Sequence, residues 1–365
     1  MKIKQIILLL FIATQTYAQQ KSYLDIESFY GIVIEHDKSL KTAIQGNPYG
    51  LIMGYNIKKN TASKDWLSYY NYPDIGFSAL YQNTNSTILG EMYGVYSHYN
   101  FYLNDRNALN KLQLRVALGL GYITNPYDEL TNPNNFTLSS KLSGSSYLKL
   151  NYHRDFYKGK IGIQAGVSLI HFSNAAFKNP NLGINTIAAT IGVNYNLHEE
   201  KLTYPIPRKV ILEENPLRYS LVFRAGFNES KIPNSGQFPF YVFTFLSEKK
   251  LNYKSTINIG ADYFKSGFLN NYLQDVKELE TGNPDSSHYK TDRIGIFVGH
   301  DWHINKLDLI TQIGYTVYEP NRYVSSIYER IGIKHRFNDH LYSTLTLKLN
   351  LFRAEGLEFG IGYRL

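Results

Sequence analysis

The stretch that decides the fold is residues 160–173, KIGIQAGVSLIHFS. Apolar side chains occupy every second position, and Gly, Gln or Ser lies between them; the apolar series is Ile161, Ile163, Ala165, Val167 and Leu169. Successive side chains of a β-strand point to opposite faces, so this alternation predicts a strand with one apolar face and one small or polar face. Residues 354–365, AEGLEFGIGYRL, repeat the pattern.

The same period of two recurs along the chain and predicts sixteen strands, eight in each half. Candidates in the first half are residues 22–35, 47–57, 67–82, 88–103, 112–123, 144–156, 160–173 and 184–197. Candidates in the second half are residues 218–228, 238–247, 252–264, 289–303, 307–318, 326–337, 340–352 and 355–365. The 32 Tyr and 20 Phe favour strands as well. The predicted fold class is therefore all-β.

Composition excludes several classes of function. The chain of 365 residues has no Cys, so disulfide frameworks, zinc ribbons and cysteine nucleophiles are excluded. Its formal net charge of +8 is spread along the sequence without a block of like charges. A nucleic-acid partner is therefore not expected, and a diffuse positive charge suits an anionic surface.

The first 18 residues have the features of a bacterial export signal. Lys2 and Lys4 precede an apolar stretch over residues 6–13, and small residues near Ala18 resemble a cleavage site before Gln19. Because residue 19 is not Cys, a lipid-anchored lipoprotein is disfavoured. We expect a mature chain that starts at residue 19 and is exported.

The connections between predicted strands alternate in length. Residues 157–159 and 337–339 are tight turns, whereas residues 124–142 and 265–288 are long, polar and follow odd-numbered strands. One rim with turns and one with loops is typical of a transmembrane antiparallel β-barrel of the bacterial outer membrane. Aromatic clusters within 69–70, 93–102 and 241–245 suit the interfacial girdles of such a barrel. A soluble secreted β-protein is the weaker alternative.

The sequence leaves the number of barrels open. Residues 19–199 form one strand-rich half and residues 200–365 another, joined by a proline-containing linker at 198–216. Residues 147–169 resemble residues 328–349 in strand, turn and strand, which indicates a degenerate repeat. We favour a single barrel of about 14 to 16 strands over two small ones, because one continuous meander needs only one closure.

Two polar residues continue the apolar face of the strand at 160–173. His171 and Ser173 follow Leu169 on that face, at the end expected to lie at the outer rim. Residues two apart on a strand have Cβ atoms about 6.5 to 7 Å apart, within the combined reach of an imidazole and a hydroxyl. The pair can act as base and nucleophile, or simply end the span at the membrane interface.

The residues around this pair resemble a known family. His171 to Ala175 (HFSNA) and Lys178 to Gly183 (KNPNLG) are similar to the active-site segment of the lipid A 3-O-deacylase family. The resemblance covers roughly residues 20–200 and is most specific across residues 169–185, whereas the second half shows no such counterpart. It implies an outer-membrane barrel that hydrolyses an acyl ester of lipopolysaccharide, with lipid A of the outer leaflet as partner. The sequence itself indicates neither a cofactor nor a metal.

The resemblance also implies roles for single residues. Ser173 would be the nucleophile and His171 the general base, with Asn174 and Asn181 shaping the loop or donating to the oxyanion. The third catalytic member of the family is acidic, but the aligned position here is Asn185, whose amide oxygen can still accept from the imidazole. Another acidic residue could take the place of the missing acid. Glu91 and Asp128 are candidates, but the sequence does not show whether either lies near His171.

Two alternatives remain open at this stage. The barrel could be a porin or a lipid-binding surface protein in which the motif is vestigial. A metal site at His300 and His303 is disfavoured, since residues three apart on a strand point to opposite faces. The leading prediction is an outer-membrane serine esterase acting through an acyl-enzyme at Ser173.

Overall fold

The computed structural model describes residues 21–60, 65–198, 202–206 and 215–365. The predicted export signal, residues 1–18, and most of the predicted linker at 198–216 lie outside these ranges. Within them the chain forms sixteen antiparallel strands, and each overlaps one of the strands predicted from the period of two. The prediction of an all-β fold is confirmed.

Eight strands in chain order form the first barrel. They are β1 Ser22–Val33, β2 Tyr49–Ile57, β3 Asp74–Asn83, β4 Glu91–Tyr102, β5 Asn110–Ile123, β6 Leu142–Phe156, β7 Ile161–Ser173 and β8 Ile184–Asn196. Each strand pairs with its neighbours in sequence. The sheet closes because β8 also pairs with β1, with Asn196 opposite Tyr23 at one end and Thr186 opposite Val33 at the other.

The second barrel repeats this order. Its strands are β9 Arg218–Glu229, β10 Gln237–Asn252, β11 Ser255–Ser266, β12 Asp292–Ile304, β13 Leu307–Tyr318, β14 Ile327–Arg336, β15 Leu341–Asn350 and β16 Arg353–Arg364. Pairing of β16 with β9 closes the sheet. The similar segments 147–169 and 328–349 fall on the sixth and seventh strands of their respective barrels, as a repeat predicts.

The prediction of a single barrel of about 14 to 16 strands is wrong, because each half closes on itself. Alternation along a strand determines which face a side chain takes, but it does not determine which strands become neighbours. Eight tilted strands already enclose an interior that side chains can fill. Each half therefore satisfies its own edge hydrogen bonds without a strand from the other half.

The chain divides into two compact units. The first is built on β1–β8, and the second contains two connecting segments, residues 126–140 and 173–183, in addition to β9–β16. Backbone hydrogen bonds join these segments: Leu182 donates to Phe136 at 3.1 Å and Gly183 donates to Thr137 at 2.8 Å. The connection that follows β7 is thus held by the connection that follows β5.

In the described residues, the connections contain two 3-10 helices, Lys38–Leu40 and Tyr157–Gly159, and two α-helices. Helix α1, Asp65–Tyr69, takes residues predicted as the start of the third strand, and α2, Phe268–Thr281, lies within the predicted loop at 265–288. Helix α2 ends at Gly282, whose φ of 71° is left-handed and sterically free for glycine. Among the described residues, neither helix has the length and apolar character required to cross a bilayer.

Burial alternates along the strands with apolar residues outward and polar residues inward. In β7, Ile163 and Val167 are exposed, while Gln164 and Ser168, the residues that directly follow them, are buried. This polarity is that of a transmembrane barrel, whose outer band meets lipid. The strands of both halves repeat it, as the burial patterns of β1 and β15 illustrate.

Ion pairs fill the interior of each barrel. In the first, the Arg115 guanidinium binds the Asp25 carboxylate at 2.8 Å and Lys149 pairs with Glu27. In the second, Arg330 contacts the carboxylate of Asp262 at 2.9 Å and that of Glu358 at 2.7 Å. All of these side chains are withdrawn from solvent, so loss of one partner would leave an uncompensated buried charge.

Candidate active site

The outward face of β7 ends in two half-buried polar residues, His171 and Ser173. Across the ladder, Asn185 of β8 is the direct partner of His171. The imidazole Nδ1 lies 2.7 Å from the Asn185 Oδ1. Because an amide oxygen only accepts, Nδ1 carries the proton and Nε2 keeps a lone pair. The pair therefore presents an oriented imidazole in the tautomer that a general base requires.

Neighbouring strands hold the backbone of this pair. The Ser145 hydroxyl of β6 donates to the carbonyl of His171 at 2.9 Å. The amide of Ile34, just beyond β1, donates to the carbonyl of Asn185 at 2.8 Å. The backbones of His171 and Asn185 are thus each held by a neighbouring segment. The hydrogen bond between their side chains therefore forms without the ordering of a flexible loop.

The hydroxyl of Ser173, the last residue of β7, accepts two hydrogen bonds. Asn181 Nδ2 donates to its Oγ at 3.0 Å, and the backbone N–H of Ala175 donates at 3.1 Å. The Asn181 Oδ1 in turn accepts from the backbone N–H of Asn174 at 2.9 Å. Two donors therefore converge on the oxygen that an esterase would use as nucleophile, and donors of this kind can stabilise developing negative charge.

Asn174 shapes the loop. Its side chain is buried, and Nδ2 donates to the Ser139 hydroxyl at 3.1 Å and to the carbonyl of Lys178 at 2.8 Å. Of the two roles that the sequence left open for Asn174, these contacts favour loop shaping. Asn181 is the residue whose amide hydrogens point to the serine.

Ala175 and Ala176 have left-handed backbones, with φ of 57° and 59°. Residues other than glycine rarely adopt this region because the Cβ atom crowds the following carbonyl. The turn aims the Ala175 amide at Ser173. Sequence analysis missed the Ala175 amide as a donor, because its direction depends on a left-handed backbone that an alanine in the sequence does not predict.

The two acids that the sequence could not place are engaged elsewhere. Glu91 accepts from the hydroxyls of Tyr81 at 2.9 Å and Tyr93 at 2.7 Å. Asp128 lies in the connection after β5, where hydrogen bonds from Thr131, and another from the amide of Leu130, hold the pKa of its carboxyl below the usual value. Asn185 is the side chain that meets the imidazole.

His300 and His303 have different hydrogen-bond partners in the structure. His300 Nε2 contacts the hydroxyl of Ser255. His303 lies between the Thr256 hydroxyl, 2.8 Å from Nε2, and the Asp308 carboxylate, 2.7 Å from Nδ1. The two imidazoles leave β12 on opposite faces and cannot converge on one ion.

Two family models match the chain. The model described as lipid A 3-O-deacylase matches residues 51–194, and the model described as acyloxyacyl hydrolase, C-terminal domain, matches residues 217–365. The first match confirms the resemblance drawn from the residues around Ser173. The second covers the half in which sequence analysis found no counterpart. No curated protein matches this chain.

Solved structures with similarity to the chain include an outer membrane enzyme, PagL, at 17% identity and a TM-score of 0.35, covering 46% of this chain and 97% of that one. A mutant of a Rh. blastica porin is 8% identical with a TM-score of 0.19, covering 95% of this chain and 99% of that one.

Proposed function

We propose that the chain belongs to the lipid A 3-O-deacylase family and is an outer-membrane serine esterase that removes an ester-linked acyl chain from lipid A. The matches of residues 51–194 and 217–365 to the two family models support this proposal. The outward apolar faces of the strands suit a lipid environment, and the candidate residues lie on that same face at the end of β7. A substrate held in the membrane can approach them without leaving it.

The observation that carries this proposal is the His171–Asn185 hydrogen bond beside a serine on the same strand face. It leaves the imidazole Nε2 free to accept a proton. Ser173 lies two positions further along β7, within the combined reach of the two side chains. This arrangement supports the proposed roles of His171 as base and Ser173 as nucleophile.

In the proposed first step, the Ser173 Oγ attacks the ester carbonyl carbon and His171 Nε2 takes the hydroxyl proton. The carbonyl oxygen gains negative charge, and Asn181 Nδ2, already directed at Ser173, donates to it. When the tetrahedral intermediate collapses, the carbon–oxygen bond to lipid A breaks. His171 returns the proton to the departing sugar oxygen, and the acyl group stays on Ser173.

Water completes the cycle. His171 accepts a proton from the water as its oxygen attacks the acyl-enzyme carbonyl, and the bond to Ser173 Oγ then breaks. The fatty acid leaves and the proton returns to Ser173. Asn185 orients the imidazole throughout but carries no charge, so it stabilises the imidazolium less than a carboxylate would.

Mass spectrometry of lipid A tests the proposal. Cells that produce the wild type should lose the mass of one acyl chain from lipid A, and cells that produce Ser173→Ala should keep it. Ser97→Ala is the matched control, because Ser97 is an exposed serine on the outward face of β4. An equal mass loss with Ser173→Ala, in protein that shows the heat-modifiable gel mobility of a folded barrel, would refute the role of Ser173.

A further inference from the structure

The segment that carries Asn174 and Asn181, residues 173–183, is anchored within the second unit by the end of β9. The backbone N–H of Asn179 donates to the Glu229 carboxylate. The Asn179 Nδ2 donates to the carbonyl oxygens of Glu229 at 3.3 Å and Ser230 at 2.8 Å. A single residue in the middle of the segment thus makes three hydrogen bonds to consecutive residues at the strand end.

Two more hydrogen bonds tie the same segment. The Glu229 amide donates to the carbonyl of Ala176 at 3.3 Å, and the Gln237 side chain donates to the carbonyl of Phe177 at 2.9 Å. Glu229 is only 5% exposed. A carboxylate withdrawn from water holds an amide partner strongly and is costly to leave without one.

Asn179, the residue that the end of β9 holds, lies in the sequence between the two donors to the Ser173 hydroxyl. Asn181 follows Asn179 by two residues, and the left-handed turn at Ala175 and Ala176 precedes it. That turn is strained, so the surrounding contacts must maintain it. Releasing Asn179 would let the turn relax and move both donors away from the Ser173 hydroxyl.

We propose that Glu229 is a positioning residue of the esterase, whose carboxylate holds residues 173–183 so that Asn181 and the Ala175 amide face Ser173. This inference rests on the function proposed above. It gives the C-terminal half of the chain a part in catalysis, through the loop that the second unit contains. Glu229 acts through Asn179 and touches no reacting atom.

Cleavage by trypsin measures how firmly Glu229 holds the segment 173–183, and the measurement does not require esterase activity. Lys178 is the only basic residue of the segment 173–183, so cleavage of the Lys178–Asn179 bond reads out its opening. In the purified full-length protein, Glu229→Ala should raise the rate of this cleavage about tenfold, the consequence of losing one hydrogen bond to a charged group. Glu229→Gln keeps an acceptor oxygen for the Asn179 amide and should stay near the wild-type rate.

Kinetics with lipid A then separate positioning from binding. Glu229→Ala should lower kcat about tenfold while KM changes by less than about twofold, because the donors act on the oxyanion and not on the bound acyl chain. Glu229→Gln should restore most of kcat. The matched control is Glu280→Gln, a change of an exposed glutamate in α2 that pairs with Lys277. This variant should leave both the trypsin cleavage rate and kcat unchanged.

Asn179→Ala supplies a second variant in case Glu229→Ala does not fold. It removes the two side-chain hydrogen bonds to the end of β9 and should also speed the cleavage and lower kcat. Wild-type cleavage rates in both alanine variants would overturn the proposal, as would faster cleavage with an unchanged kcat. Failure of the proposed function appears separately, as a wild-type protein that leaves lipid A intact; that result would overturn the catalytic role while trypsin still tests the anchor.

Discussion

His171 and Asn185 are directly opposite each other on β7 and β8, and the imidazole Nδ1 donates to the amide Oδ1 across 2.7 Å. By the resemblance drawn from the sequence, the amide occupies the position at which the lipid A 3-O-deacylase family has an acid. It can orient the ring and select its tautomer, but it brings no charge to balance the imidazolium. The geometry of a catalytic base is therefore present with weaker electrostatic support.

Asn185→Asp should raise kcat for lipid A deacylation, by about tenfold. A charge-assisted hydrogen bond is roughly twice as strong as a neutral one, and it strengthens as the imidazole takes the serine proton. Asn185→Ala should lower kcat by a similar factor because the ring loses its orientation. Both rates are measured by release of fatty acid from purified lipid A, and an aspartate variant slower than the alanine variant would contradict the assigned role.

Arg115→Met should destabilise the first barrel by about 3 to 5 kcal/mol, because it leaves the buried Asp25 carboxylate without its partner. Denaturant titration of the refolded protein measures the change. Lys277→Met is the control: its pair with Glu280 is exposed and 3.6 Å apart, and its loss should cost no more than about 1 kcal/mol. Equal effects of the two substitutions would show that the interior pair is not needed.

The purified protein should pass no steady ion current in planar bilayers. Arg115 and Tyr147 fill the first barrel, and Arg330 and Tyr328 fill the second. Two interior cavities of the second barrel measure about 10 Å³ each, near the smallest volume that holds a single water molecule. A sustained conductance would favour the porin alternative, particularly if lipid A were unchanged in the same cells.

Ala175→Gly should stabilise the protein by about 0.5 to 1 kcal/mol. Glycine adopts the left-handed φ of 57° without a Cβ clash, and this gain exceeds the added entropy of the unfolded chain. Ala188→Gly, within β8, is the comparison, since glycine in a strand interior should destabilise by about 0.5 to 1 kcal/mol. Denaturant midpoints that move in the same direction for both variants would contradict the strain assigned to Ala175.

Much of the fold could be predicted from alternation alone. The period of two at 160–173 correctly predicted β7 and its outward face, to which His171 and Ser173 belong. The same pattern wrongly predicted that residues 67–69 begin the third strand; they belong to α1. Apolar and aromatic residues in a short run suit either element, so the pattern does not separate them.

Only some of the contacts in the candidate site could be predicted from the sequence. Asn185 was expected beside His171, and the hydrogen bond between them is present. Asn174 and Asn181 could not be told apart from sequence, yet one faces the loop interior and the other faces Ser173. The contact of Glu229 with Asn179 could not be predicted from a local pattern, because the two residues lie 50 positions apart along the chain.

Strands, their lipid-facing sides and the family resemblance follow from short runs of sequence, because the pleat places every second side chain on one face wherever the strand lies. Closure into two barrels and the anchoring of residues 173–183 by Glu229 required the folded chain. These features are hydrogen bonds between residues far apart in sequence, and no local period encodes which distant partners meet.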